Sequence, residues 1–461
     1  MKKVFLLLFV SAASAAYAQS TPPSVTVTVP AQSLSCPVEQ GTSCKLNLPV
    51  TINVEPGNRP ERPPRPERPP PGGETPTGCG YLTDADPHAV GAAPPIPALA
   101  ATYSDSVFDP EGCNKIRRLT DSGRGGESDN YASTGWTSAD GKLFIAKPSG
   151  GSVAAIEMAT GQIVRNNLPF GNASAYMEFD PKDPDVYWYS SGAKLMTFNV
   201  KTGVSATAHT FPSTLGSLGG SQNFISPDGR YFVVNYDGLT TVWDKRDDVA
   251  YSGGVPGGVA TGWAAITPSA KHLIIVPDAF SHFSSYPLNH QNHSIGSGTM
   301  FWSLCGDHGT VMSTADGHDY VIAQDCYNNP DLYRIDVTLS QTDPPSGYNQ
   351  QVSQNLQLIR VGWGDGAHYT CARGGPHQDF CFVTTEMHAP QSPGSVYWNE
   401  LIGFDMQDGS IRRYAHHLSA DMGNYYHSPR PSAMWDGSKI TYASSFWGKT
   451  GTDLFTLEVG W

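Results

Sequence analysis

Three histidines stand at nearly the same distance from a recurring turn. The turn reads Asp-Gly or a variant of it, and its successive copies centre on Asp140, Asp183, Asp228, Ser269, Asp316, His377 and Asp436. Nine residues upstream of these lie Tyr131, Ser174, Gly219, Ala260, Asp307, His368 and His427, with His308 one place beyond Asp307. Residues at equal depth in successive repeats face a common axis. His308, His368 and His427 are therefore expected at one mouth of a channel, with Asp307 and Tyr131 beside them and small residues opposite. Convergent imidazoles support two chemistries. As neutral ligands, His308, His368 and His427 with Asp307 suit a divalent cation (Mn, Zn or Ca) that keeps a position open for water or substrate. As groups titrating near neutrality, they can carry protons. Gln222, six residues before its turn, is a further ligand candidate, out of register by three.

The elements that must position these residues repeat from about residue 113 onward. The clearest turns are Ser138-Ala-Asp140-Gly141, Ser226-Pro-Asp228-Gly229, Asp316-Gly317 and Asp436-Gly437, each followed by an apolar strand. A further strand then ends each unit: 152–158, 194–199, 240–244, 331–337, 400–406 and 453–459, with the fourth unit irregular. Seven such units predict an all-β chain, a seven-bladed β-propeller. A propeller leaves no open edge only if its ring closes. The last unit stops after three strands at Trp461, and Lys115-Ile-Arg-Arg-Leu-Thr-Asp121 matches the outer strand Ser410-Ile-Arg-Arg-Tyr414 of unit six. Residues 115–121 are thus expected to close the last blade as its outer strand.

Ahead of the disc the chain changes character three times. Lys2 and Lys3, the apolar run Val4–Val10 and Ala16-Tyr17-Ala18 read as a signal peptide over 1–18. Residues 19–57 alternate as strands do, notably over Ser24–Val29. Residues 58–78 are a proline-rich linker whose alternating charges favour an extended spacer. The disc itself is assigned to 79–461.

The chain carries 29 basic and 42 acidic residues, a formal charge of −13. No basic stripe could track phosphates, so a nucleic-acid partner is not expected. The only long apolar run is the N-terminal one, so neither is a transmembrane span. A secreted protein, periplasmic or extracellular, is the reading, and its eight cysteines then read as disulfides. Cys305 with Cys326 and Cys371 with Cys381 would face each other across hairpins, Cys36 with Cys44 would close a small loop, and Cys79 with Cys113 would tie the linker's end to the disc. The remaining histidines carry less: His282, His290 and His293 read as a solvated loop, and His416-His417 as surface. Most tryptophans fall in strands and read as packing. Trp263, Trp363, Tyr425 and Tyr426 lie near strand entries, where they could stack a sugar ring.

Pro227-Asp-Gly-Arg-Tyr-Phe-Val-Val234 with Leu332-Tyr-Arg-Ile-Asp-Val337 is similar to TolB-like propellers. Arg118-Leu119-Thr120-Asp121 and His427-Ser-Pro-Arg430-Pro-Ser resemble the oligogalacturonate lyase type within that group. The resemblance spans about residues 113–461. It implies a metal held by several histidines and a glutamine at the propeller centre, although a single histidine per blade stands here in place of that group's His-x-His. It also implies lyase chemistry on uronate-containing polysaccharide: His308, His368 or His427 as base, Tyr131 as acid, and Arg430 or Arg373 neutralising the substrate carboxylate. The competing expectation is a non-catalytic extracellular binding or assembly protein that self-associates through residues 24–54 by strand addition.

Overall fold

The computed structural model describes strands Ser24–Val27, Ile52–Glu55 and Ser106–Phe108, and residues 115–459 apart from interruptions. The interruptions are 121–126, 129–134, 149–152, 170–176, 217, 220–222, 258–261, 278–281, 305–307, 326–330, 343–345, 360–367, 386–398, 418, 420–428 and 446–451. The signal peptide, the linker, Tyr131, Gln222, Asp307, Trp363, Tyr425, Tyr426, His427 and every cysteine except Cys371 and Cys381 lie outside the described residues. The chain divides into two units, 1–70 and 71–461. In the first, Ser24–Val27 pairs antiparallel with Ile52–Glu55.

The second unit is a propeller of seven antiparallel sheets. The inner hairpin of each blade carries one of the repeated turns, and the turn residues explain why. The Ser138 hydroxyl donates to Asp140 Oδ1 at 2.8 Å and accepts from the Leu143 amide at 2.9 Å. Ser226, Asp228 and Tyr231 repeat the pattern at 2.6 and 2.9 Å. Gly141 and Gly229 then take φ of 66° and 71°, a conformation that side chains resist. Past each turn runs the apolar strand: Leu143–Pro148, Val186–Ser191, Tyr231–Tyr236, His272–Val276, Asp319–Asp325, Phe380–Thr384 and Lys439–Ser444. The next strands in line are Ala154–Glu157, Lys194–Asn199, Leu239–Asp244, Phe283–Asn289, Asp331–Asp336, Glu400–Asp405 and Asp453–Glu458. Blade four's, the irregular one in sequence, pairs outward with two short strands, Ser294–Ile295 and Thr299–Trp302.

At the seam, Lys115–Arg118 pairs antiparallel with Asp453–Glu458. The Arg118 guanidinium meets the Asp453 carboxylate at 2.7 and 3.0 Å, both groups buried, and Thr120 accepts the Leu454 amide at 2.9 Å. Ser106–Phe108 adds one more strand outside Lys115–Arg118, so the residues expected to form the outer strand lie one place in from the edge. Among the described residues no helix is long and apolar enough to cross a membrane.

Three sequence expectations change here. His416 and His417 are buried rather than at the surface, and the His417 ring bonds the Thr385 carbonyl at 2.9 Å. Trp263 is buried edge-on against Phe283, so it cannot stack a ligand. His290 is stacked on Tyr231 and bonded to the Tyr251 hydroxyl at 2.6 Å, which makes it an inter-blade packing residue rather than a solvated one.

Candidate functional site at the histidine mouth

The inner strands of blades five, six and seven begin at Gly309, His368 and Ser432. His308 immediately precedes the first, His368 opens the second, and Arg430 comes two residues before the third. The His308 and His368 rings lie 4.7 Å apart, tilted by 34°. His368 is only 4% exposed. Burial holds its basicity well below the ordinary imidazole value, and the nearby His308 and Arg430 push it further down. Arg430 is buried too, and blade six reaches its segment through the Thr384 hydroxyl, which donates to the Pro429 carbonyl at 2.6 Å. His308, His368 and Arg430 are thus brought together. Their partners in the sequence reading, His427, Asp307 and Tyr131, fall outside the described residues.

Arg373, the other candidate for neutralising a substrate carboxylate, is elsewhere. It follows the same inner strand, past its far end, where the Cys371–Cys381 disulfide joins directly opposed residues of the hairpin. From blade six its guanidinium crosses the channel to Glu178 of blade two at 2.6 Å and to the Ile225 carbonyl of blade three. The second Glu178 oxygen accepts the Phe224 and Ile225 amides at 2.9 and 3.3 Å. Burial nevertheless pushes the Glu178 carboxyl up to about 7 against the pull of Arg373, and pushes Arg373 down. Gly135 permits this packing, since a Cβ there would sit 2.6 Å from Glu178 Cγ. A cavity of about 30 Å³ opens beside the pair, lined by Thr137, Asp180, Asn223, Thr370 and Trp435 among others.

The turn ruler could have found this second cluster. Five residues upstream of Asp140, Asp183 and Asp228, instead of nine, stand Gly135, Glu178 and Asn223, all on the cavity wall. A carboxylate at a core-facing register position was the available signal.

Among the described residues, one group has the spacing of metal ligands: Asp244, Asp247 and His293, whose donor atoms lie within 4.8 Å of one another at the outer side of blades three and four. Its carboxylates already face cations, with Arg230 bonding both and Arg246 bonding Asp247 at 2.9 Å.

The class these features define is a seven-bladed propeller with polar clusters along its axis. No family model matches the chain, and no curated protein matches it by sequence. Solved structures do match in fold. An oligogalacturonate lyase in complex with manganese aligns at 13% identity and a TM-score of 0.50, covering 77% of this chain and 96% of the other. An oligogalacturonate lyase from Vibrio parahaemolyticus aligns at 11% identity and 0.51, with the same coverage. The chain is therefore similar in fold to the lyase-type propellers that its sequence motifs resemble.

Proposed function

We propose that this protein is an exported carbohydrate-active propeller that removes the proton α to a uronate carboxylate, with the histidine mouth as its active site. The observation behind this reading is the close His308–His368 pair with Arg430 beside it, at the entry ends of three consecutive inner strands. An imidazole held well below its ordinary basicity is neutral at pH 7, the protonation state a general base needs. Taking that proton builds negative charge onto the neighbouring carboxylate, and a guanidinium stabilises it. The electron pair of the broken C–H bond then forms the double bond to the adjacent ring carbon, which expels the glycosidic oxygen; Tyr131 is assigned to protonate it. The donor chemistry of His308 and His368 also fits a divalent ion, with His427 and Asp307 completing the set. Such an ion would add to the neutralisation of the carboxylate.

The test is a screen of the purified protein against uronate polysaccharides and their oligomers, following the ultraviolet absorbance of the unsaturated product, with metal analysis of the same sample. Elimination on one substrate, lost in His368→Gln and kept when residues 19–57 are deleted, is the expected result. No product from the wild-type protein on any uronate substrate would end this reading.

A further inference from the structure

We infer that the far mouth of the channel is a second ligand site, which takes a small acceptor group the size of a carboxylate, separately from the histidine mouth. Thr137 and Arg373 are 7% and 8% exposed, and both line the cavity. Thr137 Oγ1 and Arg373 Nε are buried, and neither has a hydrogen-bond partner among the described residues. Leaving two such donors unmet is costly, so a complementary acceptor is expected in the cavity they both line.

The two carboxylates of the cavity wall are already engaged. Glu178 faces Arg373 and two amides. Asp180 accepts the Lys182 and Asp183 amides at 2.8 and 3.0 Å and the Trp188 indole at 2.9 Å, with Lys245 at 3.8 Å. The two unmet groups on the wall are a hydroxyl and a guanidinium N–H, and an oxygen-rich anion can accept from both. At about 30 Å³ the enclosed part admits a carboxylate group or a water or two, not a sugar ring. The half-buried Trp435 ring lies 5.5 Å from the Arg373 guanidinium and forms part of the wall, so occupancy should alter its fluorescence. No histidine lines this cavity. Its charge is set by Arg373, Glu178, and Asp180 with its Lys245 neighbour. When Glu178 is protonated, Arg373 is left uncompensated, so an anion should bind better on the acid side of the Glu178 carboxyl.

Formate is the probe, titrated into the full mature chain against sodium chloride at matched ionic strength and followed by thermal shift and tryptophan fluorescence. Saturable binding is expected with formate alone, several-fold tighter near pH 6 than near pH 8. Thr137→Val should weaken it by about tenfold, Glu178→Gln should remove its pH dependence, and His308→Gln should leave it unchanged. Trp435→Phe should abolish the fluorescence change but not the thermal shift. A formate response equal to that of chloride overturns the proposal, as does unaltered affinity in Thr137→Val. Loss of binding in His308→Gln also overturns it, by placing the anion at the other mouth.

Discussion

The two mouths of the channel solve the burial of charge in opposite ways. At the histidine mouth, burial keeps His368 neutral, and the second imidazole and the guanidinium beside it push the same way. At the far mouth, opposite charges meet: Glu178 and Arg373 satisfy one another across the channel and tie blades two, three and six together. The first arrangement keeps a buried imidazole in its neutral form. The second contributes fixed geometry, with both Glu178 oxygens held by hydrogen bonds. A single inner strand connects them, with His368 at its start, the Cys371–Cys381 bond at its end and Arg373 just beyond. On the function proposed above, the histidine mouth would carry the chemistry, while the Glu178–Arg373 pair holds blades together.

The contrast is most exposed to failure at Arg373. Arg373→Met leaves the Glu178 carboxyl buried without its cation, and breaking such a pair costs roughly 3–5 kcal/mol. Urea unfolding near pH 8, where Glu178 is ionised, should show that loss. His368→Gln should lower elimination at least about a hundredfold while shifting the unfolding midpoint far less. Equal stability losses in the two variants would erase the distinction between the mouths. Next in size is the strand that links them. Replacing both Cys371 and Cys381 by Ser removes a staple across a short loop, worth about 3 kcal/mol, and should loosen both clusters together. A change confined to one mouth would show that the strand does not couple them.

Much of this architecture was legible because it repeats. The Ser-x-Asp-Gly turns close on themselves through local hydrogen bonds, so their positions in the sequence mark strand ends within a residue or two. The Lys194–Asn199 strand has the boundaries expected, and Asp331–Asp336 and Glu400–Asp405 fall one residue short. Cys371 and Cys381 were readable for the same reason, since cross-strand partners follow from the turn between them. What did not show was the pairing of residues far apart in the chain. Glu178 and Arg373 are 195 residues apart, and no local pattern specifies that one reaches the other. Arg373 therefore looked interchangeable with Arg430, although the two guanidiniums belong to opposite mouths. His290 read as polar loop because its Tyr231 and Tyr251 partners come from the preceding blade.

The smallest expected effect is also the one that tests both mouths in a single titration. The Glu178 carboxyl is raised in the folded state, to about 7 from an ordinary 4.5, so between those values the native protein holds a proton that the unfolded chain has lost. Stability from this group is therefore present on the acid side and fades as the pH rises through about 7. His368 is shifted the other way, below its ordinary 6.5, so on acidification the unfolded chain takes up a proton that the native site resists. Its contribution is full above about 6.5 and is lost as the pH falls below that value. In the wild-type protein the two slopes oppose each other over the mildly acidic range, and the unfolding midpoint should change little there. Glu178→Gln removes the first slope and should leave a protein that loses stability steadily on acidification. His368→Gln removes the second and should leave one that gains it. Denaturant midpoints taken across that range for the two variants give slopes of opposite sign if each mouth has the electrostatics described, and parallel slopes if neither group titrates between the folded and unfolded states.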